Sequence, residues 1–377
     1  MTKTVLITGA DGFIGKNLQA RLAERKDVRV LCFGRNQSVA ALPGLLQEVA
    51  FIFHLAGINR PQDPREFTIG NVGLTQALCQ ALSEERRQIP VVFTSSTQAV
   101  LDNVYGQSKR AAEETLLDLQ RQHGVPVHIF RLPNVFGKWA RPNYNSAVAT
   151  FCHNIGRDLP IQINDPQARV TLVYIDDVVE HFIAVMDGKQ VGAPFVSVEP
   201  QYSITVGELA AQLKVFRDSR KSLTTEPVGS GLTRALYATY VSYLPPERFT
   251  YEVPKYGDER GVFVEMLKTH DSGQFSFFTA YPGITRGGHY HHSKTEKFLV
   301  IKGRACFRFR HIVSGEFHEL FTNGENPEIV ETVPGWTHDV TNVGEDEMVV
   351  MLWANEVFDR RHPDTYAQPV GSEAESF

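Results

Sequence analysis

The sequence predicts two domains, a doubly wound α/β domain followed by an all-β domain. At 377 residues, the chain is too long for one ordinary hydrophobic core. Apolar strands alternate with helical stretches in its first part, which is typical of a parallel sheet covered by helices. After Pro245-Pro246 the pattern changes to short strands separated by Gly, Pro and Asn, which indicates a barrel or sandwich. We therefore predict domains 1–245 and 246–377.

Composition and charge exclude several classes of function. The net charge of -5 gives no basic surface for nucleic acid. No apolar run reaches membrane-spanning length, and the first residues lead straight into a strand, so we expect neither membrane insertion nor a secretion signal. The four cysteines have no paired spacing, which favours reduced thiols and a cytoplasmic protein.

The first strand, Val5 to Thr8, leads into a glycine-rich turn that is followed by a helix, Lys16 to Glu24. A strand, G-x-x-G-x-x-G and a helix, in that order, are what a dinucleotide site needs. Glycines let the backbone approach a pyrophosphate, and the helix N-terminus supplies amide donors. The candidate cofactor-binding residues of this turn are Gly9, Asp11, Gly12, Phe13, Ile14 and Gly15.

The second strand, Val28 to Phe33, ends just before Arg35. An acidic residue there would hold the ribose 2′-hydroxyl of NAD, whereas an arginine suits a 2′-phosphate, so Arg35 favours NADP or NADPH. The alternative is a solvated loop arginine. Only one helix, about Val39 to Gln47, fits before the next strand, 50–54, so a further strand expected of a full doubly wound sheet should be shortened or absent here.

A strand ending in hydroxyls, Pro90 to Ser96, precedes a helix that begins near Tyr105. Tyr105 and Lys109 are four residues apart and share one helix face. A phenol can donate a proton to a carbonyl that is being reduced, a nearby ammonium lowers the pKa of that phenol, and a serine hydroxyl orients the carbonyl. We therefore assign Ser96, Tyr105 and Lys109 as catalytic residues, with Tyr105 and Lys109 also contacting the cofactor.

These segments resemble the extended short-chain dehydrogenase/reductase family, a Rossmann-like fold that acts largely on nucleotide sugars. The resemblance extends to Arg131 to Gly137 and to Tyr174-Ile175-Asp176-Asp177-Val178. It implies further cofactor contacts from Leu55, Ala56, Gly57 and Asn71. The segment between Ser96 and Tyr105 is shorter than is usual in the family. Arg169 lies one position before the place of an arginine that touches the diphosphate, which leaves the diphosphate contacts open.

The loop after Asn134 is polar, aromatic and cationic, which suits a sugar–diphosphate pocket. The alternative is an ordinary loop around a packed Trp139. The candidate substrate-binding residues are Asn134, Arg141, Asn143 and Asn145.

In the second half, Gly283 to Gly303 reads G-x5-H-x-H-x4-E-x6-G, and Gly335 to Asn342 reads G-x2-H-x3-N. Residues two apart on a strand share a face, so His289 and His291 point the same way. With Glu296 and His338 they form a donor set that suits a divalent metal such as Zn²⁺. His292 should face the opposite side, and Lys297 and Lys302 are expected to be solvated strand residues.

Both segments resemble those of the cupin superfamily, which are small antiparallel β-barrels; Pro334, directly beside Gly335, departs from the usual Pro-x-Gly. The strands predicted after the boundary are Phe263 to Leu267, Gln274 to Ala280, Glu296 to Ile301, Ala305 to His311, Glu328 to Val333 and Glu347 to Ala354.

A reductase domain fused to a cupin resembles the CapF-type bifunctional enzymes of bacterial capsular polysaccharide and lipopolysaccharide O-antigen biosynthesis. The resemblance implies epimerisation at carbon 3 of UDP-2-acetamido-2,6-dideoxy-4-keto-hexose by the cupin. It also implies NADPH-dependent reduction of the carbon 4 ketone, giving UDP-2-acetamido-2,6-dideoxy-L-talose on the route to UDP-N-acetyl-L-fucosamine, and a homodimer. Two alternatives remain: a single-function reductase with a structural or regulatory cupin, and an epimerase or dehydratase that retains its nicotinamide.

Overall fold

The computed structural model describes residues 2–34, 36–59, 63, 65–189, 194–253, 255–258, 261–264, 267–269, 273–356 and 361–371. Contacts within the chain divide it into two compact units, residues 1–141 with 170–203 and residues 142–169 with 204–377. This division groups several helices before Pro245 with the C-terminal strands. The domain boundary at Pro245 stays a prediction. Among the described helices, none is both long and apolar enough to cross a membrane.

Strands and helices alternate through residue 205. In chain order they are β1 (Lys3–Thr8), α1 (Phe13–Ala23), β2 (Val28–Phe33), α2 (Leu42–Leu46), β3 (Phe51–His54), α3 (Arg65–Phe67), α4 (Leu74–Glu84), β4 (Val91–Ser96), α5 (Val104–His123), β5 (Val127–Leu132), β6 (Asn134–Phe136), α6 (Ala147–Ile155), β7 (Arg169–Tyr174), α7 (Ile175–Met186), β8 (Phe195–Val196) and β9 (Gln201–Thr205).

The first unit is built on a six-stranded sheet in the order β2-β1-β3-β4-β5-β8, and every neighbouring pair is parallel. The predicted Rossmann-like α/β sheet is therefore confirmed. Between β2 and β3 the described residues form only a short 3-10 turn, Val39–Ala41, and α2. The expected loss of one strand is confirmed, and β2 becomes the edge of the sheet.

The strands of this sheet are apolar on both faces because helices cover both of them. β3 and β4 are buried along their whole length. Ile52 and Phe93 are 0% and 1% exposed and belong to one core cluster with Leu116 of α5. Burying such side chains contributes about 1.5 to 3 kcal/mol each, so the carboxyl ends of the strands, where the candidate residues lie, rest on a rigid base.

Short antiparallel strands dominate the rest of the chain. The elements are α8 (Val206–Ser222), β10 (Thr224–Thr225), α9 (Gly231–Ser242), β11 (Thr250–Glu252), β12 (Lys255–Asp258), β13 (Gly261–Val264), β14 (Lys268–Thr269), β15 (Gln274–Ala280), β16 (Thr285–Tyr290), β17 (Glu296–Lys302), β18 (Arg304–His311), β19 (Phe317–Asn323), β20 (Glu328–Glu331), β21 (Trp336–Asn342), β22 (Met348–Ala354) and β23 (Tyr366–Ala367).

The second unit contains two five-stranded sheets, in the orders β11-β20-β17-β22-β15 and β19-β18-β21-β16-β23. Aromatic side chains pack between them: the Phe298 ring of β17 lies 5.6 Å from that of Phe307 on β18. The predicted all-β, antiparallel character is confirmed. β16, β19 and β21 were not among the predicted strands, because none has a clean apolar alternation. β21 buries His338, Asp339 and Asn342, whereas β16 and β19 are mostly exposed or half-buried.

One sequence expectation about this unit is wrong. Lys297 is 1% exposed, not solvated, whereas Lys302 is exposed as expected. The Lys297 ammonium lies 3.2 Å from Glu331 Oε1 and donates a hydrogen bond to the Tyr251 hydroxyl at 2.9 Å. Glu331 also accepts a 2.9 Å bond from the Tyr237 hydroxyl of α9. This buried network joins α9 to the sheet that contains β17, and it explains why an ammonium can be tolerated there.

Candidate active sites

The glycine-rich turn between β1 and α1 is shaped by close backbone contacts. Gly9 has φ +69, and a Cβ there would lie 2.6 Å from the amide nitrogen of Ala56. A Cβ on Gly15 would lie 2.4 Å from the carbonyl oxygen of Gly9. Only glycine fits at both positions. Gly12 is the N-cap of α1. Because glycine has no side chain, Gly12 does not cap the amides of the first helical turn, which are the amides that a pyrophosphate would use.

The other predicted residues of this turn lie around the helix N-terminus. Asp11 and Gly12 are exposed, and Phe13 and Ile14 are partly buried as the first residues of α1. Arg35 lies outside the described residues, so the predicted contact with a 2′-phosphate stays a prediction.

A chain of hydrogen bonds holds the loop after β3, which carries Leu55, Ala56 and Gly57. The Ala56 amide donates to the Thr8 hydroxyl at 3.2 Å, and that hydroxyl donates to His54 Nδ1 at 2.7 Å. His54 Nε2 then donates to the Thr75 hydroxyl at 2.8 Å, which donates to the Asn71 carbonyl at 2.7 Å. Burial lowers the pKa of His54 to about 3, so its ring is neutral and supplies the one donor and one acceptor that this chain needs.

Asn71 fixes the same loop. Its Oδ1 accepts from the Ile58 amide at 2.8 Å, and its Nδ2 donates to the Ile58 carbonyl at 3.2 Å and to the Ser108 hydroxyl at 3.0 Å. The Asn71 amide is 2% exposed and engaged on both sides. It therefore holds the loop and α5 in place, whether or not it also reaches the cofactor.

The structure brings Ser96, Tyr105 and Lys109 together, as the sequence predicts. Asn103 caps α5 by accepting from the Gly106 amide at 2.8 Å, which starts the helix one residue before Tyr105. Burial raises the pKa of Tyr105, and a side-chain hydrogen bond with Ser96 opposes that rise. The phenol and the serine hydroxyl are therefore close enough to act on one carbonyl oxygen.

Lys109 is buried beneath this pair. Its Nζ donates to the Thr94 carbonyl at 3.0 Å, and a Cβ on Gly57 would lie 2.9 Å from that Nζ. Burial lowers the pKa of Lys109 to about 8. An ammonium whose pKa lies close to neutral pH can exchange its proton during a reaction cycle, which is the property that proton transfer requires.

The candidate substrate-binding residues are all exposed. In the first unit, Asn134 Nδ2 donates to the Thr171 carbonyl at 3.0 Å, and Arg141 is the last residue before the second unit. In the second unit, Asn143 takes φ +53, and its amide donates to the Thr150 hydroxyl at 2.9 Å. Asn145 directly precedes Ser146, the N-cap of α6. Their role in substrate binding stays a prediction.

The second half brings its four candidate ligands together between the two sheets. One ligand atom from each of His289, His291, Glu296 and His338 lies within 4.8 Å of the others. Glu296 Oε2 is 3.0 Å from His291 Nε2 and 3.4 Å from His338 Nε2. Among the described residues, neither ring nitrogen of His338 makes a hydrogen bond of good geometry, and Nε2 only approaches Glu296 Oε2. Buried polar atoms without good hydrogen bonds are rare. This cluster therefore has both the ligand atoms and the unpaired ring nitrogens that are expected of a cation site.

Two imidazoles of this cluster, those of His289 and His338, favour the neutral form, and Glu296 favours the ionised form. Burial and the neighbouring His338 and His291 lower the pKa of His289 to about 3, and burial also lowers the pKa of His338. Burial alone would raise the pKa of Glu296, yet the two histidines outweigh it and hold this pKa well below its usual range. Neutral histidines and a carboxylate are the forms that bind a metal.

Asp364 orients the cluster from the last described stretch of the chain, and the sequence analysis missed it. Its backbone carbonyl lies 2.6 Å from His291 Nδ1, so that nitrogen donates, and Nε2 faces the cluster 3.0 Å from Glu296 Oε2. Its carboxylate accepts from the amides of His292, Ser293 and Lys294 at 3.0, 2.9 and 2.7 Å. No sequence spacing links residue 364 to this loop, so only the fold reveals the contact.

His292 is excluded from the cluster, as expected from its position beside His291. Its ring packs 5.5 Å from that of Tyr290 and 5.0 Å from that of Tyr366. Glu113 was not predicted as a site residue, although its spacing of one helical turn from Lys109 is visible in the sequence.

Comparison with known proteins supports both halves. Residues 5–196 match the NAD dependent epimerase/dehydratase family, and residues 256–366 match the polysaccharide biosynthesis C-terminal domain. The chain is 68% identical over 370 residues to UDP-2-acetamido-2,6-beta-L-arabino-hexul-4-ose reductase of Pseudomonas aeruginosa, covering 98% of this chain and 100% of that protein.

Two solved structures extend the comparison. The capsular polysaccharide assembling protein CapF from Staphylococcus aureus aligns with a TM-score of 0.67 at 40% identity, over 97% of this chain and 100% of that one. UDP-glucuronic acid 4-epimerase from Bacillus cereus in complex with NAD covers 58% of this chain and 84% of that one at 18% identity, with a TM-score of 0.51, which supports the fold alone. The chain belongs to the CapF-type family, in which an epimerase/dehydratase module precedes a polysaccharide biosynthesis C-terminal domain.

Proposed function

We propose that the chain is a bifunctional nucleotide-sugar enzyme. Its C-terminal, cupin-type half epimerises carbon 3 of UDP-2-acetamido-2,6-dideoxy-4-keto-hexose. Its N-terminal half reduces the carbon 4 ketone with NADPH to UDP-2-acetamido-2,6-dideoxy-L-talose, on the route to UDP-N-acetyl-L-fucosamine. The observation that carries the reductase half is the close set of Ser96, Tyr105 and a buried Lys109, which lies against Gly57 in the loop that packs on Gly9. The Pseudomonas aeruginosa relative, named as a reductase of such a 4-ketone, supports it.

In the reductase half, the chain supplies a proton and orientation. NADPH, when bound, supplies the hydride that adds to carbon 4. The Tyr105 phenol donates its proton to the carbon 4 oxygen, and the Ser96 hydroxyl donates a hydrogen bond to the same oxygen before transfer. The Lys109 ammonium stabilises the phenolate that Tyr105 leaves behind and holds the nicotinamide ribose. The ketone thus gains one hydride and one proton and becomes an alcohol.

The choice of NADPH over NADH rests on Arg35. No acidic residue follows β2 within Gly34-Arg35-Asn36, and a guanidinium can pair with a 2′-phosphate in a bidentate manner. Arg35→Ala is expected to raise the KM for NADPH about tenfold or more and to leave the KM for NADH almost unchanged, because only NADPH carries that phosphate. Equal effects on both KM values would contradict the assignment.

In the epimerase half, His289, His291, Glu296 and His338 would hold a divalent cation, most simply Zn²⁺. When bound, the cation supplies Lewis-acid stabilisation of negative charge on the carbon 4 oxygen, or it holds the pocket in shape. The 4-ketone acidifies the proton at carbon 3, so the half-reaction removes that proton and returns one to the opposite face. Asp364 keeps His291 in the tautomer that offers Nε2.

We also propose that Asn134, Arg141, Asn143 and Asn145 contact the UDP-sugar, and that the protein is a homodimer. Light scattering on the purified chain measures its oligomeric state directly. A monomer mass at micromolar concentration would contradict it.

The decisive experiment incubates the full chain with the 4-keto sugar nucleotide in deuterated water, with and without NADPH, followed by product NMR. Without NADPH, deuterium enters at carbon 3. With NADPH, one equivalent is consumed and the 6-deoxy-talose product forms. Deuterium-free product with normal NADPH consumption would instead identify a single-function reductase with a structural cupin. Turnover without net NADPH consumption would identify an enzyme that retains its nicotinamide.

Two variants separate the halves. Tyr105→Phe is expected to abolish NADPH oxidation and to leave deuterium entry unchanged. His338→Ala is expected to reduce bound metal and deuterium entry. Unchanged exchange in His338→Ala would contradict the role of the cluster in epimerisation, and normal NADPH turnover in Tyr105→Phe would contradict the assigned acid.

A further inference from the structure

Glu113 lies on the same face of α5 as Tyr105 and Lys109. The three residues are spaced four apart, so their side chains lie one above another along the helix. Glu113 is 2% exposed, although it carries a carboxylate in the core of the first unit. A buried carboxylate needs several donors to persist there.

Donors from two neighbouring strands meet this carboxylate. Arg131 of β5 binds it in a bidentate manner, with Nε 2.9 Å from Oε1 and Nη2 2.6 Å from Oε2. The hydroxyl of Ser95 on β4 also donates to Oε1. Ser95 directly precedes Ser96, so Glu113 ties the end of the strand that carries Ser96 to the helix that carries Tyr105.

Stability alone is a weak reason for this arrangement, because a buried ion pair often stabilises a fold no more than apolar residues of similar size. The position of Glu113 one helical turn from Lys109 gives a second reason for a buried carboxylate at this place. The Lys109 ammonium donates a hydrogen bond to the Thr94 carbonyl, which carries no charge, and burial disfavours the charged form of the lysine. The negative charge of Glu113 acts in the opposite direction and raises the pKa of Lys109.

In the part of the chain that the structure describes, the other groups that face Lys109 do not supply this negative charge. His54 of β3 is neutral, and Tyr105 is a neutral phenol with a raised pKa. Asn71 and the Thr94 carbonyl carry no charge. Arg131 is positive and faces Glu113, so it reduces the influence of the carboxylate. Glu113 is therefore the negative charge that favours the ammonium form of Lys109.

We propose that Glu113 is a positioning residue of the reductase site, which places a negative charge one helical turn from Lys109 and ties the strand end that carries Ser96 to the helix that carries Tyr105. The proposal rests on the proposed reductase function. Glu113 does not touch the substrate; it acts through Lys109 and through Ser95.

The test compares Glu113→Gln with Glu114→Gln in the full chain. Glu114 is the next residue on α5 and is exposed, so its variant removes the same charge from the solvent side. The kcat for NADPH oxidation with the 4-keto sugar nucleotide is measured between pH 6 and 10. In Glu113→Gln the alkaline limb is expected to move to lower pH by about half a unit to one unit, because a negative neighbour of Lys109 is lost. The limb of Glu114→Gln should match the wild type.

Further variants and readouts exclude a merely structural effect. Glu113→Asp restores the charge and should return the limb most of the way to its original pH. Arg131→Gln leaves Glu113 without its counter-charge and should move the limb to higher pH. The affinity for NADPH alone, from fluorescence titration over the same pH range, should follow the same shifts without any sugar.

Two outcomes are distinguishable. If the wild type consumes NADPH and the limbs of Glu113→Gln and Glu114→Gln coincide, the role of Glu113 is overturned while the reductase stands. If the wild type does not reduce the keto sugar, the proposed function fails, and the NADPH titration still decides whether Glu113 acts on Lys109.

Discussion

Lys109 of the first unit and Lys297 of the second are both buried, yet they have opposite electrostatic environments. Lys109 is 4% exposed, and its ammonium donates to the carbonyl of Thr94. Lys297 is 1% exposed, and its ammonium lies 3.2 Å from the carboxylate of Glu331. Burial lowers the pKa of Lys109 to about 8. Burial acts in the same direction on Lys297, but Glu331 outweighs it and raises the pKa of that lysine well above its usual range.

The difference shows that burial by itself does not identify a functional lysine. A direct carboxylate partner fixes the charge of Lys297 and makes it part of the link to α9. A carbonyl partner and a more distant carboxylate leave Lys109 able to titrate near neutral pH. The partner atom, rather than the depth, therefore separates the candidate catalytic lysine from the structural one.

Lys109→Met should produce the largest effect, and that effect should be a loss of activity, not of stability. The kcat for NADPH oxidation is expected to fall about 10²- to 10⁴-fold, because the phenolate of Tyr105 and the nicotinamide ribose lose their ammonium. The unfolding free energy should stay the same or increase, since a desolvated charge is removed. Urea unfolding of the same sample measures the second quantity, and a large loss of stability would contradict the contrast.

Lys297→Met should have the reverse effect. It leaves the buried Glu331 without its ammonium partner, which costs about 3 to 5 kcal/mol of unfolding free energy. Thermal and urea unfolding measure this cost. The double variant Lys297→Met with Glu331→Met is the matched control and should recover part of the loss. A stability loss no larger than that of Lys109→Met would show that the two lysines are equivalent.

The pH dependence of stability should sharpen the comparison. Because the folded pKa of Lys109 is lowered to about 8, the folded state binds fewer protons than the unfolded state between that pH and the ordinary lysine pKa near 10.5. The penalty is present in full below pH 8 and is relieved as the pH rises. The wild type should therefore gain about 2 kcal/mol relative to Lys109→Met between pH 7.5 and 9.5. A constant difference would contradict the lowered pKa.

The smallest effect is expected at an exposed pair, which sets the baseline. Arg29 and Glu48 form a 2.9 Å ion pair with both side chains more than half exposed. Glu48→Gln should change the unfolding free energy by less than about 1 kcal/mol, and less still at high salt. A larger change would mean that the exposure of an ion pair does not indicate how much it contributes to stability in this chain.

Local motifs predicted most of the nucleotide half because its fold is built from consecutive strand–helix units. The turn from Gly9 to Gly15 and the Tyr105–Lys109 pair each lie within one such unit. In parallel sheets, these units meet at the carboxyl ends of the strands, so short motifs were enough to place the candidate residues together.

The second half was predicted less completely. The spacing of His289, His291 and Glu296 identified the cluster, but β16, β19 and β21 lack the apolar alternation that reveals strands. Lys297 was misjudged because a strand position does not show what lies opposite. Its partner Glu331 is 34 residues away in sequence, on a neighbouring strand of the same sheet. Asp364 follows His291 by 73 residues, and no local pattern predicts that distance.

The position of Asp364 in the chain has a consequence for biosynthesis. All four candidate ligands leave the ribosome before Asp364 does. Until that residue arrives, the loop over 291–294 lacks its carboxylate anchor and the His291 ring lacks the carbonyl that selects its tautomer. If the cluster holds a cation as proposed, capture should therefore follow the arrival of Asp364, and a shortened chain that ends between His338 and Asp364 should bind the ion poorly although it carries every candidate ligand.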